Sequence, residues 1–146
     1  MGVRGNFKFT LLDLEGKVVQ VKEYKNVVCT ALLNMVAARL NAETTYTGII
    51  NYLALGTGTN TPAAADTKLQ TEIARTTVYD RSRANNVTTL EFYFAPADAI
   101  GNLKEVGAFI DGTASADSGQ IFDRAAIDVT KTTLNSLIVT LTITVS

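Results

Sequence analysis

The run Leu55-Gly56-Thr57-Gly58-Thr59 follows the apolar stretch Tyr52-Leu53-Ala54-Leu55. A Gly-x-Gly between a strand and a helix can turn backbone N–H groups toward a phosphate. The dinucleotide form needs a third glycine at position 61, where Thr61 stands, and the P-loop ending Gly-Lys-Ser/Thr does not follow. Seven residues also separate Gly58 from Asp66, so a helix starting there need not face the turn. A structural turn is therefore the expected role of these glycines. Other chemistry is thinly supplied. The chain has no histidine, which removes the commonest general base and metal ligand. Its one cysteine, Cys29, sits among apolar neighbours and reads as a small buried core residue; alone it excludes an intrachain disulfide and zinc sites built on cysteine pairs.

The carboxylates are scattered. Glu91 and Glu105 would form a glycosidase-type pair if their strands were adjacent, yet a solvated face is the ordinary place for such groups. Asp111, Asp117 and Asp123 flank a Gly/Ser loop and offer oxygen ligands to calcium, but EF-hand spacing is absent and Asp111-Gly112 reads as a turn. No catalytic, cofactor-binding or metal-ligating residue is therefore assigned. Arg81 and Arg83 fall two apart, on the same side of one strand. Such a pair can meet acids on a neighbouring subunit or guard an edge strand, and guarding is the favoured role.

The elements that must position these groups are mostly strands. Phe7–Leu11 and Val18–Tyr24 flank a Gly16-containing turn and read as a hairpin. Thr30 is placed as the N-cap of a helix over about 30–40, with Leu32, Leu33, Val36, Ala37 and Leu40 on one face. Asp66 is placed as the cap of a short helix over about 66–73, with Leu69 and Ile73 on one face. Further strands are expected at 76–83, 87–94, 103–110 and 120–127, with a turn at Asn85-Asn86 and a stop at Pro96. In Leu137–Val145 the odd-numbered positions are apolar and Thr140, Thr142 and Thr144 alternate with them, a period of two that fixes register. Short strands separated by frequent turns predict a mainly β fold, an antiparallel sandwich or barrel-like sheet with one helix at about 30–40 and a short one at about 66–73.

The 146 residues make one β-rich domain, 1–146. Charged residues are 18%, below the roughly one quarter usual for a soluble domain, so part of the surface is expected to lie under other chains. Thirteen basic against fourteen acidic residues leave a net charge of −1, with no basic field for nucleic acid or an anionic membrane. No apolar segment is long enough to span a bilayer, and the N-terminus has no signal-peptide core. Asn6 stands where a myristoylation motif wants Ser or Thr.

The order of strand, LGTGT, Pro62-Ala63-Ala64 loop, Asp66-Thr67-x-Leu69-x-x-Glu72 and Arg75 resembles small structural proteins of tailed bacteriophages, of the tail, baseplate or fibre kind. The opening hairpin, the helix before the LGTGT strand and the closing Thr-alternating strand follow the same order. The resemblance implies a non-enzymatic virion protein made in the host cytoplasm without a signal peptide, a homo-oligomer in contact with its own copies and neighbouring virion proteins, with no cofactor, nucleic acid or membrane. Thr57, Gly58, Thr59 and Asn60 in the loop, with Arg81 and Arg83, are the candidate interface. A capsid decoration protein is the alternative within that class. Outside it stand a glycan-binding β-sandwich using Tyr24, Tyr46, Tyr79 and Tyr93, although tryptophan is absent, and a hydrolase.

Overall fold

The computed structural model describes residues 2–146. Nine strands and one helix follow in the order β1 (Val3–Leu12), β2 (Val18–Lys25), β3 (Val27–Val28), α1 (Thr30–Leu40), β4 (Ile50–Gly56), β5 (Glu72–Ala84), β6 (Val87–Phe94), β7 (Gly101–Ile110), β8 (Gln120–Lys131) and β9 (Ser136–Val145). They form one antiparallel sheet in the order β2-β1-β9-β6-β5-β4-β7-β8-β3, curled into a nearly closed barrel. The mainly β, barrel-like expectation holds.

Alternation explains the wall. The apolar set of β9 faces inward between two strands with the same period. Three rungs cross it: Phe7–Leu141–Leu90, Phe9–Val139–Phe92 and Leu11–Leu137–Phe94. All nine of these side chains are buried. At roughly 1.5–3 kcal/mol for each large apolar side chain taken from water, this block outweighs any single polar contact. A slip of one residue would expose the whole inner set of β9.

Closure depends on one residue between two strands. Asn26 separates β2, which pairs with β1, from β3, which pairs with β8 through Val27↔Arg124 and Val28↔Asp123. The Asn26 backbone N–H donates to the Gly5 carbonyl (3.2 Å), its Oδ1 accepts from the Gly5 N–H (2.7 Å), and its Nδ2 donates to Asp123 Oδ2 (2.6 Å). Farther along the seam, Lys22 Nζ (2.7 Å) and the Tyr24 hydroxyl (3.1 Å) donate to the Asp128 carbonyl. At one end of the barrel, Gly2 and Ser146 exchange backbone hydrogen bonds.

Helix α1 covers that same end, but its cap and faces differ from expectation. Cys29, not Thr30, occupies the cap position and makes no side-chain cap bond. The Thr30 N–H instead donates to the Ala64 carbonyl (2.7 Å). Leu32, Met35 and Ala38 are buried, whereas Leu33, Ala37 and Leu40 form an exposed stripe. The five apolar positions span about 140° of the helix, but the sheet lies against the neighbouring stripe of Leu32, Met35 and Ala38.

The short helix expected over about 66–73 does not form. Residues 66–71 are turn and irregular chain, and β5 begins at Glu72. Asp66 accepts from the Ala63 N–H (2.8 Å) behind it instead of capping residues ahead. The Gln70 and Thr71 N–H groups, which a helix would give to carbonyls four residues back, donate to Glu105. Leu69 is buried and Ile73 exposed, so they share no face.

Candidate functional site

Glu105 on β7 is 1% exposed and lies beneath the 57–71 loop. Its Oε1 accepts from the N–H groups of Gly58 (3.0 Å) and Thr71 (2.7 Å). Its Oε2 accepts from the Gln70 N–H (2.8 Å) and from Arg124 Nη2 (2.7 Å). Arg124 on β8, equally buried, also binds Asp66 Oδ2 through Nη1 (2.6 Å) and Asn60 Oδ1 through Nη2 (3.0 Å). The Gly-x-Gly turn therefore does receive an anion, and the anion is the protein's own carboxylate. A Cβ on Gly58 would stand 2.6 Å from Glu105 Oε1, and one on Gly56 would overlap the Thr71 carbonyl. Close approach, not phosphate, explains both glycines.

The rest of the loop's pattern is spent in the same way. Leu69 packs with Cys29, Ala54, Phe109 and Ile121 in a small apolar cluster on the outer side of the wall. Arg75 grips Glu72 with two nitrogens (2.7 and 2.8 Å) and donates through Nη1 to the Thr113 and Ser118 carbonyls and the Ser118 hydroxyl. Its guanidinium also stacks on Tyr52 and Phe109, 5.4 and 4.8 Å from the ring centres. Two long loops are thus pinned by two buried arginines. With its oxygens committed to three amides and a guanidinium, Glu105 holds a loop in place.

Asp123 is the second buried acid. Its Oδ2 accepts from Asn26, while its Oδ1 has no partner among the described residues. Burial pushes its pKa up to about 7 against the opposing pull of the Asn26 and Ala108 hydrogen bonds. Burial likewise raises the Cys29 thiol to about 12, helped by the nearby Asp123 and Asp66 charges.

The predicted interface residues divide. Thr57, Gly58, Thr59 and Asn60 lie together on the Glu105–Arg124 clasp, with Gly58 buried. Arg81 and Arg83 do share one side of β5, but elsewhere, at the end of the barrel covered by α1. Arg81 pairs with inward-facing Leu90, and its Nη2 donates to the Ile50 carbonyl (3.2 Å); Arg83 donates to the Asn85 carbonyl (2.6 Å). Neither has an ion-pair partner among the described residues. The interior widens beside Arg81 into an apolar mouth of about 400 Å³, lined by Val36, Ile50, Leu90, Phe122 and Ile143 among others.

Two groupings considered from the sequence do not come together. β6 and β7 are separated in the sheet by β5 and β4, so Glu91 and Glu105 are not on adjacent strands. Asp111 binds Thr47, Asp117 meets Lys68 and Asp123 binds Asn26, so the three aspartates are held by three different partners. On the outer wall, Tyr79 and Tyr93 lie with ring centres 6.3 Å apart, beside Ile138.

The fold and these sites define a small, nearly closed β-structure with pinned loops and a helix at its mouth. No family model, curated protein or solved structure matches the chain.

Proposed function

We propose that this chain is a non-enzymatic structural protein of a tailed-bacteriophage particle, placed in the tail, baseplate or fibre region and held there by contacts with its own copies and with neighbouring virion proteins. The observation that carries the reading is the placement of exposed large apolar side chains. Leu33, Leu40 and Ile49 stand at the mouth end; Leu14, Ile100 and Leu134 stand at the other. With Val19, Val21, Ile73, Tyr79 and Tyr93 exposed along the wall as well, this much large apolar surface suits contact with other chains better than free solvation. The resemblance in the 51–75 stretch and the low charge favour the same reading. A head decoration protein is the alternative location. Gold-labelled antibody on purified particles separates the two: label at the tail tip or collar supports the tail, label over the head supports decoration, and unlabelled particles with free protein overturn both.

The Tyr79–Tyr93 pair favours a second reading, a glycan-binding module. Tyr79 is 74% exposed, and neighbouring aromatic faces can receive a sugar ring. Glycan-array binding lost on Tyr79→Ala would support it, and an array without signal would remove it.

A further inference from the structure

The two ends of the barrel are opposite in character, and they complement each other. At the mouth, an apolar hollow of about 400 Å³ is lined in part by Arg81, with Arg83 two residues farther along β5, neither in an ion pair among the described residues. At the far end, the turn between β1 and β2 carries Leu14, 59% exposed, between Asp13 and Glu15. The turn is held in one shape: Asp13 Oδ1 accepts from the N–H groups of Glu15 (3.0 Å) and Lys17 (2.8 Å). It is therefore a preformed apolar knob flanked by carboxylates, and the mouth is an apolar hole flanked by guanidinium groups.

We propose that copies of this chain stack end to end, the Asp13-Leu14-Glu15 turn of one seated in the mouth of the next. Leu14 enters the hollow and occupies part of it, and the acids flanking it meet Arg81 and Arg83. Charge complementarity selects a second copy as the occupant, because the matching surface belongs to this same chain. The exposed stripe Leu33, Ala37 and Leu40 lies around the mouth and extends the contact toward Ile100 and Leu134 of the next copy. Different surfaces meet at such a contact, so it does not saturate at two copies; it continues as a column or closes as a ring. The proposal deepens the virion reading and rests on it, since it names the partner and the surface by which the protein assembles.

The test uses two variants, each disabling one end. Leu14→Lys spoils the knob, and Arg81→Glu with Arg83→Glu spoils the hole. All three positions are exposed, and should loss of the Arg81 bond to the Ile50 carbonyl lower the melt of the double reversal, Arg81→Gln with Arg83→Glu takes its place. In sedimentation velocity, wild-type mass rises with concentration and falls with added salt, while each variant stays at the mass of one chain. An equimolar mixture of the variants gives a two-chain species and nothing larger, because one intact knob meets one intact hole and both remaining ends are dead. Should Leu14→Lys melt without cooperativity, Glu15→Arg takes its place. A wild-type chain that stays single at its solubility limit overturns the stacking, as does association that survives in either variant or a mixture that stays single. The virion reading fails separately: columns in solution with unlabelled particles would overturn it and leave the stack, whereas labelled particles with a single-chain protein would do the reverse.

Discussion

Glu105 and Arg124 are each 1% exposed and ion-paired with one another, and Arg124 also pairs with Asp66. Removing the Glu105 carboxylate leaves Arg124 with Asp66 as its remaining ionic partner and takes the charged acceptor from three loop N–H groups, at a cost of about 1–3 kcal/mol. Glu105→Gln is thus expected to lower the unfolding free energy by that order, read from the urea midpoint at unchanged slope. Asp123 acts in the opposite sense. Its pKa rises from 3.8 to about 7 on folding, so between these values the folded chain holds the extra proton. Stability therefore falls as pH rises through this window and levels off above it. Asp123→Asn should remove that slope and stabilise the protein at pH 8 relative to wild type; urea titrations of both chains across the window check it. Cys29, buried and with its thiol at about 12, should resist a maleimide in the native protein and react on denaturation.

Helix α1 separates burial from apolarity. Met35→Ala should cost about 2–5 kcal/mol, because it empties a buried site, whereas Leu33→Ser at an exposed one should stay within about 0.5 kcal/mol. Thermal melts at a concentration low enough to keep the chains apart would compare them. The same helix shows what local pattern can and cannot reveal. Its range of 30–40 was legible from spacing, as were the hairpins and the register of β9, because periodicity is a local property. Which stripe of α1 is buried was not legible, since Leu33 and Met35 are distinguished only by where the sheet lies. The misread helix near 66–73 has a similar cause: Gln70 and Thr71 look helical until Glu105, more than thirty residues onward, takes their N–H groups. Loop residues 57–60 were visible as a turn of consequence, but Glu105 was one acid among fourteen, and only the strand order sets it beneath them. The two-residue strand β3 is too short to carry a period.

At the scale of the whole molecule, four of the eight strand pairs join neighbours in the chain, and the pairing of longest range joins its beginning to its end. β1 and β9 run in register from Val3↔Val145 to Leu12↔Ser136, and Gly2 meets Ser146 beyond them. In folding, that ladder must wait for nearly the whole chain to close into a loop, an entropic cost borne before any contact rewards it. The adjacency of Gly2 and Ser146 makes the delay removable. A circular permutant that joins position 146 to position 2 through a short glycine linker, and opens the exposed stretch between Thr44 and Thr45, would keep every strand pair and turn the most distant one into a local hairpin. Its refolding in stopped-flow fluorescence should be faster than that of the natural order, with the unfolding limb little changed. The route by which this barrel is reached is thus set by where the chain is cut, while the barrel itself is set by which side chains face inward.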